Sequence, residues 1–231
     1  MANLNIKVVS DAICPWCYVG QKRLERAIET YKRDVPGGAN DTFTVSWHPF
    51  YLDPSLPTTG IDRKAHIARK IGPERMASMT AYLSSLGATE GIKFSWQGKV
   101  GNTRDAHRLV QLAKTKSNEA ENRLISTMFK AHFEEDGDIT SQDVLVAIGE
   151  KAGLNKSEVK EWLDQGKGGQ EVDREVEEAY KKGIRGVPHF TVNGRYELSG
   201  AQDVEGFLEV FTRAKASPQV VSTGSSEGMS C

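Results

Sequence analysis

Two cysteines separated by two residues constrain the fold of this chain most, because they stand between a strand pattern and a helix pattern. Residues 10–20 read SDAICPWCYVG, so the pair is Cys14 and Cys17. The β-branched run Ile6–Ser10 before them predicts a strand. Apolar residues at helical spacing follow them: Leu24, Ala27, Ile28 and Tyr31. The pair therefore lies where a strand passes into the first turn of a helix, and Pro15 suits that turn because no N–H is needed there.

Such a pair can be a redox couple, half of a metal site, or two buried thiols that happen to be close. A helix N-terminus stabilises a thiolate, so Cys14 is suited to attack a disulfide, and Cys17, one turn on, to resolve the mixed disulfide. This geometry predicts an exposed Cys14 and a more buried Cys17. A structural zinc site needs four ligands, and no second cysteine pair or histidine cluster completes one, so we predict no metal. The third cysteine, Cys231, lies in a polar tail predicted to be disordered.

Length and charge narrow the function classes further. The chain has 231 residues, which suits one large domain or a domain that carries an inserted subdomain. Lys and Arg total 30 against 31 Asp and Glu, and this balance gives no reason to expect nucleic acid or an anionic membrane as a partner. The N-terminus does not resemble a secretory signal and no apolar run is long enough to cross a bilayer, so we expect a cytoplasmic protein.

The order of elements predicts an α/β fold interrupted by helices. A second strand, residues 43–50, completes a βαβ unit with a parallel strand pair. Residues 62–166 show mostly helical signals without a convincing strand, so we interpret them as an inserted helical subdomain. Within it, Thr140–Asp143 resembles a capping box and Asn155 opens a further helix.

The C-terminal part returns to strands. A helix stopped by Gly183 precedes two short strands joined by Asn193-Gly194, the strongest hairpin turn signal, and a last helix begins near Asp203. We therefore predict a βαβ–α–ββα order with three parts and a tail. Residues 1–60 and 168–216 form the outer parts, 61–167 the insert, and 217–231 the tail.

Three segments carry a resemblance to a known family. They are SDAICPWCYVGQKRLERAI, NTRDAHRLVQLA and GIRGVPHFTVNGRYELSGAQ. In this order they resemble thioredoxin-fold oxidoreductases of the DsbA type, and more closely the FrnE-like branch. The resemblance spans the chain up to about Ser217. It implies a thioredoxin fold with an inserted helical subdomain.

The resemblance also implies residue roles. Cys14 would be the nucleophile and Cys17 the resolving thiol, with Pro188 as a cis-proline beside them. The backbone of Val187 would bind an extended peptide or glutathione as an added strand. The other substrate-side or glutathione-binding candidates are Pro15, Trp16, Asn102, His107, His189, Ser199, Gly200, Ala201 and Gln202. Most prolines are trans, with cis in only about 5–6% of X–Pro bonds, but the glycines before this one and the hairpin after it favour cis.

Several of these residues have a plainer interpretation. A single histidine on a helix more often has a structural role, and this applies to His107. Asn102 could simply cap that helix. His189, after the proline, is equally suited to modulate the thiolate or simply to be exposed. Ser199 to Gln202 could hold the γ-glutamyl carboxylate of glutathione at a helix N-terminus, or Ser199 or Asp203 could cap that helix. Asp11 could take part in proton transfer to Cys17, although capping of the coming helix is the preferred interpretation.

The sequence thus predicts a thiol–disulfide oxidoreductase that works through a mixed disulfide, with glutathione as a co-substrate and no bound cofactor. Its partner would be a thiol or disulfide substrate: glutathione, a protein or a small molecule. The oligomeric state is not fixed, and a homodimer is compatible with the sequence. The alternative is a glutathione-dependent transferase or isomerase acting on a small aromatic or polyketide-like molecule. That neighbouring branch, with kappa-class glutathione transferases and 2-hydroxychromene-2-carboxylate isomerases, usually has serine where Cys14 stands. A non-enzymatic binding module is a third hypothesis.

Overall fold

The structure, a computed structural model, describes residues 1–217, so Cys231 and the tail predicted to be disordered lie outside the described residues. The strands are β1 (Asn3–Ser10), β2 (Thr42–Pro49), β3 (Ile61–Asp62), β4 (Lys99–Val100), β5 (His189–Val192) and β6 (Tyr196–Ser199). The helices are α1 (Pro15–Asp34), α2 (Arg63–Ile71), α3 (Pro73–Thr89), α4 (Arg104–Lys114), α5 (Asn118–Phe133), α6 (Gln142–Lys151), α7 (Lys156–Asp164), α8 (Gly169–Lys181) and α9 (Val204–Ala216).

The central sheet has the order β2-β1-β5-β6. β1 pairs with β2 in parallel, as the βαβ prediction requires, and with β5 in antiparallel fashion. β5 and β6 form the predicted hairpin, whose turn residues Asn193 and Gly194 both have positive φ. Helices α2 to α7 lie between β2 and α8 in the chain, so the expected thioredoxin fold with a helical insert is confirmed.

The two faces of the sheet differ. Side chains alternate along a strand, so Ile6, Val8 and Phe190 point to one face, where α1 and α9 cover them, and all three are buried. Lys7, Thr191 and the other residues on the opposite face line an open groove beside α8. Helix α1, which follows Cys14 and carries Cys17, therefore lies on the apolar face.

An aromatic layer joins α1 to the insert. Tyr18 of α1 stacks on Phe129 and Phe133 of α5, with ring centroids 5.3 and 6.1 Å apart. The Tyr18 hydroxyl donates to Glu134 at 2.5 Å. The loop after α5 is thus bonded to the core through Glu134. The hydrophobic core is continuous from the sheet into the insert.

Two details of the insert differ from the sequence expectation. Residues 62–166 do contain strand pairing, because Ile61 pairs with Val100 and Asp62 with Lys99 in a short antiparallel ladder. The capping box predicted at Thr140–Asp143 is wrong. Ser141 is the N-cap of α6 but makes no side-chain cap bond, and the Thr140 backbone N–H and hydroxyl both donate to the Asp138 carboxylate.

Candidate active site

The sulfur of Cys14 lies at the start of α1, beside the segment before β5. Cys14 is the N-cap residue of α1, and Pro15 is its first helical residue. The Cys14 thiol donates to the Val187 carbonyl oxygen at 3.6 Å. Only 3% of the residue is exposed, so the prediction of an exposed nucleophile is wrong for this state, because its sulfur turns toward Val187.

Cys17 lies one turn further along α1 and is fully buried. Both cysteines are free thiols, and the Cys17 backbone N–H donates to the Cys14 carbonyl at 3.0 Å. Burial raises the pKa of the Cys17 thiol well above its ordinary value, and the neighbouring Cys14 raises that pKa further. Bonds from the Ser10 hydroxyl and the Asp11 backbone oppose this effect on the pKa, but they are smaller. Cys17 is therefore a protonated thiol at neutral pH.

Pro188 is buried and follows Val187 through a cis peptide bond. It lies against α1 at Gly20: a Cβ added to Gly20 would stand 3.0 Å from the Pro188 side chain and 3.1 Å from that of Phe190. Glycine at this position lets α1 approach the segment before β5 closely. That approach brings Val187 within reach of Cys14.

An aromatic pair stands at the surface beside the cysteines. Trp16 is 36% exposed and Tyr82 of α3 is 60% exposed, and their ring centroids are 6.2 Å apart. Trp16, one of the substrate-side candidates, is thus partly exposed. Pro15, which lies between the two cysteines in the chain, is half-buried. Tyr82 carried no recognisable sequence signal, because only the packing of α3 against α1 places it here.

Asn102 and His107 lie at the start of α4. Asn102 accepts a bond from the Arg104 backbone N–H at 2.9 Å, so its side chain is used locally. His107 is buried, and its Nε2 lies 3.1 Å from the Phe50 carbonyl and 3.5 Å from a carboxylate oxygen of Asp11. The insert therefore delivers His107 to the end of β1 rather than to an open substrate surface.

Asp11 does not cap α1, contrary to the preferred interpretation of the sequence. Its carboxylate accepts from the Leu52 backbone N–H at 2.7 Å and, more weakly, from Ile13 N–H at 3.5 Å. The residue is only 1% exposed. The N-cap position itself belongs to Cys14. The pairing of Asp11 with His107 joins residues far apart in the chain, so no local pattern in the sequence indicates it.

His189 faces away from the cysteines. It neighbours Phe190, whose side chain lies on the α1 face, so the His189 side chain points to the opposite face of the sheet. There its Nδ1 lies 3.3 Å from the Ser199 hydroxyl and its Nε2 lies 3.9 Å from Glu197. The ring nitrogens of His189 thus have Ser199 and Glu197 as their partners, and Cys14 is not among them.

The segment before α9 is held by its own bonds. Gly200 N–H donates to the Pro188 carbonyl at 2.8 Å, and the Gln202 amide donates to the Ser199 carbonyl at 2.6 Å. Arg23 of α1 donates to the Ala201 carbonyl at 2.8 Å. The Asp203 side chain accepts a bond from the Gly206 backbone N–H. Of the two cap candidates, Ser199 and Asp203, it is therefore Asp203 that caps α9.

The groove on the opposite face of the sheet has a volume of about 910 Å³. Polar and apolar side chains from the sheet and from α8 line it, and Val187 is among its lining residues. Within residues 1–217, no three His, Cys, Asp or Glu side chains gather as metal ligands. Over the same residues, no helix combines the length and the apolarity that a membrane span requires.

The fold and the site together define a class: a thioredoxin fold with a paired-cysteine helix, a proline segment facing the first cysteine, and a helical insert. The chain matches the DSBA-like thioredoxin domain over residues 5–212 and belongs to that family.

Three known proteins are similar to this chain. The uncharacterised Bacillus subtilis protein YwbO is 28% identical over 220 residues, which cover 88% of this chain and 94% of YwbO. A probable DsbA oxidoreductase from Streptomyces coelicolor has a crystal structure with a TM-score of 0.83 and 28% identity, covering 93% of this chain and 91% of that one. The cytosolic disulfide reductase DsbM from Pseudomonas aeruginosa, solved with GSH, has the same fold, with a TM-score of 0.58 and 20% identity over 90% of this chain and 99% of DsbM.

Proposed function

We propose that this protein is a thiol–disulfide oxidoreductase in which Cys14 and Cys17 are the redox pair. The observation that carries the proposal is the placement of two free thiols on the first turn of α1, with the Cys14 sulfur 3.6 Å from the Val187 carbonyl. The rest of the site supports it, because no other cysteine lies among residues 1–217.

The cycle balances with these two sulfurs alone. The Cys14 thiolate attacks a substrate disulfide, one substrate thiolate leaves, and a mixed disulfide forms. Cys17 loses its proton and attacks the Cys14 sulfur, and the second substrate thiolate leaves and takes up a proton. The substrate gains two electrons and the protein holds a Cys14–Cys17 disulfide. In the reverse direction the same steps oxidise a dithiol.

Glutathione is the proposed co-substrate. Val187, whose carbonyl accepts from the Cys14 thiol, precedes Pro188, and the Pro188 carbonyl accepts from the Gly200 N–H of the Ser199–Gln202 segment. Trp16 and Tyr82 form the exposed apolar border. These surfaces suit a small thiol with a peptide backbone. The DsbM structure with GSH supports both this co-substrate and a cytosolic setting.

A redox titration tests the proposal. Wild type is equilibrated in glutathione buffers of graded ratio while its tryptophan fluorescence is followed, and Cys14→Ser, Cys17→Ser and Cys231→Ser are treated alike. We expect a reversible two-electron transition that ends in an intramolecular disulfide in wild type and Cys231→Ser, no transition in Cys14→Ser, and in Cys17→Ser only the formation of a mixed disulfide with glutathione. A midpoint near ~−120 mV would mark an oxidant and one near ~−270 mV a reductant.

The same variants distinguish an oxidoreductase from a glutathione-dependent transferase or isomerase. Cys17→Ser should accumulate a mixed disulfide between Cys14 and glutathione, which a mass spectrum of the intact protein detects. A protein that forms no disulfide in any buffer would refute the oxidoreductase. A glutathione-dependent turnover of aromatic substrates that survives Cys17→Ser would then indicate a transferase or isomerase.

A further inference from the structure

A serine, a histidine and a glutamate form a continuous hydrogen-bonded chain on the face of the sheet opposite α1. The Ser46 hydroxyl oxygen lies 3.3 Å from Nε2 of His48, and Nδ1 of His48 lies 2.6 Å from a carboxylate oxygen of Glu175. Ser46 and His48 are two residues apart on β2 and therefore share one face, and Glu175 comes from α8. A hydroxyl, an imidazole and a carboxylate bonded in this order are the groups that activate a serine as a nucleophile.

The carboxylate of Glu175 fixes the tautomer of His48. An ionised carboxylate can only accept hydrogen bonds, so Nδ1 of His48 carries the proton and donates to Glu175. Nε2 is then the unprotonated nitrogen, and the Ser46 hydroxyl donates to it. In this arrangement the imidazole can take the serine proton as the oxygen attacks.

Glu175 is held as a carboxylate by several donors. Besides His48, the Gln111 amide donates to it at 2.9 Å and the Lys114 ammonium at 3.3 Å. Burial raises the pKa of Glu175, but these partners outweigh burial and hold that pKa at about 2. Burial lowers the pKa of His48 and outweighs the opposing effect of Glu175. At neutral pH the two groups are therefore an ionised carboxylate and a neutral base.

All three side chains line the groove of about 910 Å³ beside α8. Ser46 is half-buried, and the side chains of His48 and Glu175 are 21% and 14% exposed. A molecule in the groove can therefore reach the serine, while the base and the carboxylate are largely shielded from water. The volume suits a small molecule, since ligand pockets commonly measure about 300–1,000 Å³.

Lys7 places positive charge beside the serine. Ser46, Lys7 and Thr191 are register partners on β2, β1 and β5, so they form one cross-strand row on the groove face. Attack on a carbonyl carbon leaves negative charge on the carbonyl oxygen, and a cation next to that oxygen stabilises it. The row therefore supplies a nucleophile and a neighbouring cation.

A second histidine in the groove lacks the carboxylate bond. The Ser199 hydroxyl lies 3.3 Å from Nδ1 of His189, but the Glu197 carboxylate lies 3.9 Å from Nε2 and its side chain is 69% exposed. That distance is too long for a hydrogen bond, so Glu197 does not fix the ring. Ser199 is therefore an internal control: a serine beside a histidine in the same groove, without the third group.

We propose that the groove is a second catalytic site, which hydrolyses small carboxylic esters with Ser46 as nucleophile, His48 as general base and Glu175 as the positioning residue. The Ser46 oxygen bonds to the carbonyl carbon as its proton passes to Nε2 of His48, and the alcohol leaves with that proton. Water then attacks the acyl-serine, His48 transfers a proton from that water to the serine oxygen, and a carboxylic acid leaves. No electrons are exchanged, so this activity goes beyond the proposed function and does not use the cysteines.

Covalent labelling tests the serine directly. The full chain is incubated with graded concentrations of a fluorophosphonate, which forms a stable bond to an activated serine oxygen, and peptide mass spectrometry locates the adduct. The test variants are Ser46→Ala, His48→Gln and Glu175→Gln. Thr191→Ala is the matched control, because it removes a hydroxyl from the same row on the other side of Lys7. Far-UV circular dichroism checks that each variant is folded.

We expect the adduct on Ser46 and not on Ser199. Ser46→Ala should lose the adduct and Thr191→Ala should label like wild type. His48→Gln should lower the maximal labelling rate by about 10²-fold or more, because the serine proton then has no acceptor. Glu175→Gln should also lower the maximal rate, with the half-saturating probe concentration unchanged, whereas a purely structural role would change binding of the probe in the groove.

A chromogenic ester tests turnover. The parent is Cys14→Ser/Cys231→Ser, which lacks two thiols that could react with the ester. With p-nitrophenyl acetate we expect an initial release of about one nitrophenolate per chain, followed by slower turnover as the acyl-serine is hydrolysed. Adding Ser46→Ala to this parent should abolish the initial release.

Other results overturn the site. They are an adduct that is absent from Ser46 or forms equally on Ser199, labelling of Ser46 that keeps its rate in His48→Gln, and an initial release that persists in Ser46→Ala. None of these outcomes bears on the Cys14–Cys17 disulfide, which the redox titration tests separately.

Discussion

The two cysteines share one helical turn but differ in their surroundings. Cys14 stands at the N-cap with its sulfur at the Val187 carbonyl, whereas Cys17 is fully buried inside the core. This inequality gives the two thiols separate tasks in the proposed exchange, since the burial that raises the Cys17 pKa also keeps substrates away from its sulfur.

The buried Cys17 thiol should make the reduced protein less stable at alkaline pH. Its folded pKa is raised, so the stabilisation is complete below the unfolded pKa and is lost as pH rises above that value. We expect the free energy of unfolding to fall by up to about 1 kcal/mol per pH unit more steeply in wild type than in Cys17→Ala between about pH 8 and pH 9.5. Urea titrations under reducing conditions measure both slopes, and parallel slopes would contradict the prediction.

Gly20 should be intolerant of a side chain. A Cβ would come within 3.0 Å of Pro188 and 3.1 Å of Phe190, so α1 must shift. We expect Gly20→Ala to lower the free energy of unfolding by about 1–3 kcal/mol and to slow the reaction of Cys14 with disulfides. Gly186→Ala, where nothing lies within 4 Å of the added Cβ, is the matched control. Equal stability of the two variants would contradict the close approach.

At the residue scale, the sequence predicts the placement of the two cysteines better than their contacts. The position of Cys14 and Cys17 at the first turn of α1 can be anticipated because it depends on neighbours within one turn. The bond of Asp11 to Leu52 and its approach to His107 depend on how β2 and α4 meet β1, so local patterns pointed to a helix cap instead. The burial of Cys14 likewise follows from Val187, which the chain brings back only after the insert.

At the element scale, helices were predictable where an apolar stripe faces the core. The stripe of Leu124, Ile125, Met128, Phe129 and His132 is buried on α5, and α9 begins after Asp203 as expected. The β3–β4 ladder was not predictable. Its two-residue strands have no alternation of their own, and the Arg63 N–H bond to the Gly98 carbonyl is a tertiary contact.

The caps of two neighbouring helices give a matched test. Asn155 accepts a bond from Glu158 N–H at 3.0 Å at the start of α7, whereas Ser141 makes no such bond at the start of α6. We expect Asn155→Ala to lower the free energy of unfolding by about 1 kcal/mol. Ser141→Ala should change it little. Chemical denaturation measures both, and a larger loss in Ser141→Ala would contradict the assignment of the caps.

At the scale of the whole molecule, Asp41 ties both ends of the described chain together. Its buried carboxylate lies 2.7 Å from Lys215 of α9 and accepts from the Ala2 backbone N–H at 2.6 Å. It also accepts from the Tyr31 hydroxyl at 3.1 Å. Lys215 and then Ala2 hold the pKa of Asp41 at about 2.

This tie should fail in acid. Because the folded pKa is lowered, the stabilisation is present above the unfolded value and is lost as pH falls through about 2. We expect Asp41→Asn to be less stable at neutral pH and to lose less further stability between about pH 4 and pH 2 than wild type does. Asp164→Asn breaks an exposed pair with Lys160 and should match wild type in both respects. Thermal unfolding across this pH range is the measurement.

The sheet order also bears on how a newly made chain is handled. β1 occupies an inner position, yet its partner β5 leaves the ribosome only after all the inserted helices. During translation Cys14 and Cys17 are therefore made long before Val187, which contacts Cys14 in the folded protein. Pairing between segments as distant as β1 and β5 is slow to form. The nascent chain carries two unshielded thiols through most of its synthesis, and the arrival of the C-terminal hairpin is the event that encloses them.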